Sequence, residues 1–134
     1  MPHLSKHKLD YKSELEIKKT LELVFSNVKG KENVHSLFSS LLTTTERLMI
    51  AKRLSAVILL KEGVSESQVA SSLHITRATV DKLNLIHQTN GQGYEIAVEI
   101  LRKEKAYEEV KKALLSLVKY SIRASGGYVK PTIV

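Results

Sequence analysis

Residues 65–85 read Ser-Glu-Ser-Gln-Val-Ala-Ser-Ser-Leu-His-Ile-Thr-Arg-Ala-Thr-Val-Asp-Lys-Leu-Asn-Leu, two short amphipathic segments with almost no chain between them. Each carries its own start signal. Ser65 followed by Gln68 is a capping-box pattern, in which the hydroxyl accepts an orphan backbone N–H and the amide reaches back to the cap. Thr76 is an N-cap for the second segment. The joint Leu73-His74-Ile75 is too short to be a flexible linker. Two helices so joined pack at a steep angle, with Val69, Leu73, Ile75, Val80 and Leu83 as their shared interior and Ala70 permitting close approach. This spacing predicts a helix-turn-helix, an arrangement whose second helix enters the major groove of DNA. One position departs from the pattern. The turn after Leu73 favours a positive φ and often carries Gly, whereas this chain has His74. The competing reading is an ordinary helical hairpin in an all-α protein.

The preceding segment is of a different kind. Thr43 with Glu46 forms another capping box, and Gly63 supplies a C-terminal stop. Between them Leu48, Met49, Ile50, Ala51, Leu54, Ala56, Val57, Ile58, Leu59 and Leu60 leave no polar face of any width. A helix apolar all round is buried all round. A chain of 134 residues has too few other helices to surround it, and only 5% of its residues are aromatic. A second protomer is therefore expected to complete the core, as an obligate homodimer.

The remaining segments complete an all-α reading of about six helices. Residues 1–9 form a basic tail, residues 10–122 a single domain and residues 123–134 a flexible tail. Leu15, Ile17, Leu21, Val24, Phe25 and Val28 mark a first helix closed by Gly30, and Val34, Leu37, Phe38 and Leu41 a second. Thr89-Asn90-Gly91-Gln92-Gly93 is predicted to be a loop of positive-φ residues. One long helix is then expected over residues 94–122. It would bury Tyr94, Ala97, Val98 and Leu101, and after a charged interruption at residues 102–105, Tyr107, Val110, Leu114, Leu117 and Val118.

Charge supports a polyanionic partner only diffusely. The net charge is +7, but residues 64–91 hold two cations and two acids, so the excess lies on the flanks. A solvated basic surface explains such a distribution equally well. The absence of cysteine removes disulfides, thiolate zinc sites and cysteine nucleophiles, and suits a cytoplasmic location. No apolar run approaches the length of a membrane span, and the first residues lack the apolar segment of a signal peptide. Catalysis finds no support. His3 and His7 fall in the expected tail, and His35, His74 and His87 are scattered without a carboxylate pattern suited to a metal. Gly91-Gln92-Gly93 lacks the length and the preceding strand of a phosphate loop. Neither an enzyme nor a cofactor is expected.

Leu41-Leu42-Thr43-Thr44-Thr45-Glu46-Arg47, the helix containing Arg53, Gly63 and Ala78-Thr79-Val80 together resemble the Trp repressor superfamily. Gly91-Gln92-Gly93-Tyr94-Glu95-Ile96-Ala97 is similar to the Gly-x-x-Tyr-Glu-x-Ala of its YerC/YecD-type branch. The likeness covers roughly residues 34–101, and the chain continues beyond it further than the branch requires. The resemblance implies an interlocked all-helical homodimer that binds a palindromic operator and regulates transcription as a repressor. Alternatives outside it are a helix-turn-helix adaptor of a mobile-element or sigma-like protein, and a structural dimer that does not bind DNA.

Candidate DNA contacts follow from placement. Thr76, Arg77 and Ala78 open the recognition helix, Thr79 follows, and Asp81 and Lys82 face the groove one turn on. Ser65, Ser67 and Gln68 on the first helix complete the surface. Arg77 is the candidate for bidentate recognition of guanine, although a plain Arg77–Asp81 surface pair has the same spacing. The resemblance also implies a vestigial ligand pocket. Thr43, Arg53 and Thr79 match its residues, but Lys82 replaces an arginine that stacks on indole and Leu83 replaces a glycine that leaves space for it. Tryptophan is thus not expected as corepressor, and DNA binding is expected to be constitutive.

Overall fold

The computed structural model describes residues 7–124. Seven helices follow one another: α1 (Tyr11–Asn27), α2 (Lys31–Leu41), α3 (Thr44–Lys61), α4 (Glu66–Leu73), α5 (Arg77–Asn90), α6 (Gln92–Lys103) and α7 (Tyr107–Ala124), with no strand among the described residues. They fall into two compact units divided between Leu48 and Met49, within α3. None of these helices is long and apolar enough to cross a membrane. The expected tail at residues 1–9 lies mostly outside the described residues. So does most of the one expected at residues 123–134, but Arg123 and Ala124 belong to α7.

In the first unit Asp10 caps α1 by accepting the Ser13 N–H at 3.3 Å, and the Ser13 hydroxyl first, then this N–H, hold its carboxyl below the usual range. Phe25 and Phe38 meet edge to face, their centroids 5.8 Å apart, which ties α1 to α2. Gly30 does not close α1 as expected. Val28 ends that helix in an extended conformation, and Gly30, at φ +88° and ψ 143°, is the residue from which α2 starts. The apolar stripe of α1 exists, but Leu15, Ile17, Leu21, Val24 and Phe25 remain exposed in the protomer.

The second unit holds the core. Ala56, Val57, Ile58 and Leu59 of α3 are buried with Val64, Val69, Leu73, Val80, Leu83, Val98, Tyr107, Leu114 and Val118. The expectation that α3 is buried all round therefore holds in one protomer only for its C-terminal part, since Leu48, Ile50 and Leu54 are exposed. Leu117, expected inside, also faces solvent.

Three helices of this unit end with the same backbone device, a residue in the left-handed region followed by a bond five residues back. At α3, Gly63 has φ +87° and the Val64 N–H donates to the Leu59 carbonyl at 3.1 Å. At α4, His74 takes φ +55° and ψ 49°, and the Ile75 N–H reaches the Ala70 carbonyl at 3.1 Å. At α6, Lys105 takes φ +57°, and the Ala106 N–H reaches the Leu101 carbonyl at 2.8 Å. These bonds satisfy carbonyls that the last turn of a helix leaves without partners. The third end corrects the expectation of one long C-terminal helix. The charged interruption at residues 102–105 is a helix terminus, and the described residues form seven helices rather than about six.

The expected loop at Thr89-Asn90-Gly91-Gln92-Gly93 is also absent. α5 runs through Asn90, α6 starts at Gln92, and Gly91 sits between them at an ordinary φ of −86°. Space explains this glycine. A Cβ at Gly91 would stand 2.5 Å from the His87 carbonyl oxygen, whereas one at Gly93 would meet nothing within 4 Å.

Candidate nucleic-acid interface

The reading head is α4, the three-residue turn and α5. Ser65 caps α4 by accepting the Gln68 N–H at 3.3 Å, and Thr76 caps α5 by accepting the Thr79 N–H at 3.1 Å. The Thr76 and Thr79 hydroxyls also share a hydrogen bond of 2.8 Å. Val69, Leu73, Val80 and Leu83 are buried between these helices and the rest of the unit, with Ala70 and Ile75 packed at the edge of the cluster. The steep joint is closed by His74, which accepts the left-handed conformation that glycine adopts more easily. Its carbonyl receives the Lys52 ammonium at 3.5 Å.

The outer surface of this head carries Ser65, Ser67, Thr76, Arg77, Ala78, Asp81 and Lys82, all exposed, with Gln68 and Thr79 half-buried. Arg77 is held from two sides. Its Nε donates to Asp81 Oδ1 at 3.1 Å and its Nη1 to Ser67 Oγ at 2.7 Å, which ties the first turn of α5 across to α4. The Glu66 carboxyl, at the start of α4, interacts with that of Asp81. That contact is the largest cause holding the Glu66 carboxyl above its ordinary range and the Asp81 carboxyl below it, with Arg77 adding to the depression of Asp81. The spacing of Arg77 and Asp81 thus resolves into an actual ion pair, and both side chains remain more than half exposed. Such a pair contributes little to stability. Its effect is to fix where the guanidinium points.

The five residues aligned with a ligand pocket have separate fates. Thr43 belongs to the first unit, where its hydroxyl accepts the Glu46 N–H at 3.1 Å and its own N–H donates to Glu46 Oε1 at 2.9 Å. The Thr43 backbone N–H first, and then the Thr43 hydroxyl, hold the Glu46 carboxyl below its usual range. In the second unit Arg53 and Lys82 are exposed and Thr79 is half-buried. Leu83 is 5% exposed and belongs to the hydrophobic core. Among the described residues no group of three or more His, Cys, Asp or Glu side chains is placed to hold a metal ion.

The sequence pattern shows α7 only as the second half of one long helix, not as a separate element packed on α4. This helix packs on α4 more extensively than α5 does. Tyr107, at its start, donates its phenol proton to Glu62 Oε1 at 2.6 Å, one turn before α4, with the Arg102 guanidinium 4.9 Å from the centre of its ring. Burial, and then the Glu62 carboxylate, push the Tyr107 hydroxyl up to about 12. Near the other end, the Ser121 and Ser71 hydroxyls are 3.3 Å apart. The resumption of the apolar stripe at Tyr107 was a legible sign of this helix. Its partner was not, because pattern shows which face is buried but not against what.

Fold and surface together define an all-helical protein built around a helix-turn-helix. The family model of the Trp repressor protein matches residues 16–99, more than half of the chain. The chain belongs to the Trp repressor family, a family of DNA-binding regulators rather than enzymes. No curated protein and no solved structure matches it. The match stops short of α7.

Proposed function

We propose that this protein is a sequence-specific transcriptional regulator of the YerC/YecD type, acting as a homodimeric repressor on a palindromic operator in the cytoplasm. The observation that carries this reading is the capped, tightly joined α4–α5 pair with Arg77 in the first turn of α5, the turn that meets base edges in such motifs. In this reading Arg77 reads guanine, and Thr76, Ala78, Thr79, Asp81 and Lys82 line the groove. Ser65, Ser67 and Gln68 approach the backbone. The homodimer is supported by the apolar side chains that α1 and the first half of α3 leave uncovered. Burial of Leu83 in the core supports the loss of tryptophan as corepressor, because the side chain that stabilises the reading head occupies the space aligned with the ligand.

Arg77→Ala is the test, on a site chosen by the wild-type protein from a random DNA pool. The variant is expected to lose about 1–3 kcal/mol of discrimination at one base pair, while affinity for random duplex falls much less. Equal losses on both would reduce Arg77 to a phosphate contact. One observation favours a second reading, a structural dimer that does not bind DNA: the strongest candidate for base contact is already engaged by Asp81 and Ser67. Failure of the wild-type protein to shift any duplex at low salt would establish that reading instead.

A further inference from the structure

We propose that α7 is a positioning element for the reading head, holding α4 in place so that the head is ordered without a small molecule. The inference rests on the DNA-binding reading above and deepens it, since it names what supplies the order. α4 is eight residues long, too short to be stable by itself. α5 covers one side of it, and α7 makes the larger contact. Leu114 and Val118 of α7 are buried in one cluster with Val69 and Leu73 of α4. Polar ties stand near both ends of this contact. Tyr107 grips Glu62 in the turn leading into α4, and Ser121 meets Ser71 in its second half. The two helices therefore run side by side, and α4 cannot swing without breaking one tie or opening the core.

Lys111 reinforces the first tie by standing 4.0 Å from Glu62 and 3.0 Å from Glu108. The residues that form α7 lie beyond those that the family model matches. Tyr107, Leu114, Val118 and Ser121 act through α4 rather than on DNA.

The experiment uses the full chain with two variants, Tyr107→Phe, which removes only the phenol bond, and Val118→Ala, which loosens the packed face. Hydrogen exchange is followed well below the melting temperature of each. Exchange within residues 66–90 is expected to rise at least tenfold in Val118→Ala and by a smaller factor in Tyr107→Phe, while residues 11–41 exchange as in the wild type. A second readout separates positioning from general stability. If binding must order the head, DNA association by Val118→Ala acquires a more negative heat-capacity change than that of the wild type. Unchanged protection of residues 66–90 overturns the proposal, as does a uniform rise across the chain. An unchanged heat-capacity change overturns it too. Should wild-type protein bind no DNA, the regulator reading fails, and the exchange measurements alone still decide whether α7 orders α4.

Discussion

Ile50→Asp tests the homodimer at a residue where the two possible outcomes differ most. In the protomer Ile50 is 54% exposed, on a helix that also exposes Leu48 and Leu54. Fully burying an isoleucine side chain is worth about 1.5–3 kcal/mol, so losing the half that is covered in a monomer costs about 1 kcal/mol. If a second protomer covers this face, the substitution also places a carboxylate in an apolar interface without a partner, at a cost of several kcal/mol. It does so twice, once from each chain. Ile58→Asp cannot make the distinction, because Ile58 is 1% exposed within the protomer and its replacement unfolds a monomer and a dimer alike. Sedimentation equilibrium at micromolar concentration gives the mass, and urea unfolding at two protein concentrations gives the stability. A dimer that folds as it associates unfolds at a midpoint that rises with concentration. The wild type is expected to show twice the chain mass and that dependence, and Ile50→Asp to be monomeric or unfolded. A wild-type monomer with a fixed midpoint would refute the reasoning. So would an Ile50→Asp protein of unchanged mass that is destabilised by only about 1 kcal/mol.

Three further outcomes follow from the structure. Gly91→Ala is expected to destabilise by more than 1 kcal/mol through its contact with the His87 carbonyl, while Gly93→Ala, inside α6 with open space around it, gains about 0.5–1 kcal/mol of helix propensity. Thermal melts of the two variants shifting in the same direction would contradict this. The Tyr107 hydroxyl, raised from 10.0 to about 12 in the fold, contributes stability that is complete below pH 10 and lost as pH rises toward 12. Tyr107→Phe should remove on the order of 1–3 kcal/mol of that alkaline slope, and urea titrations at pH 9 and 11 that decline equally in both proteins would exclude it. Calorimetric titration with L-tryptophan to millimolar concentration is expected to show no saturable heat, and binding that also tightens operator affinity would restore the corepressor.

Local signals carried most of the element boundaries. Ser65, Thr76 and the Thr43–Glu46 pair cap helices in the structure as their side chains dictate, since a cap is settled within four residues of chain. The apolar spacing of residues 69–83 likewise determined the helix-turn-helix core, and even the awkward His74 takes the left-handed turn its position demands. Tertiary structure decided what local chemistry leaves open. Lys105 ends a helix in a conformation ordinarily given to glycine, and there the chain turns so that α7 can pack back on α4. Gly91 reads as a loop residue in sequence, yet it is required for its lack of a Cβ beside a carbonyl from the preceding turn. Tyr107 could be assigned to a buried face from its spacing, but its bond to Glu62, 45 residues away, depends on how two helices meet. The same limit holds at the reading head. Spacing brings Arg77 and Asp81 together on one helix, whereas Ser67 and Glu66 join them only because α4 and α5 cross there, and no periodicity within either helix encodes that crossing.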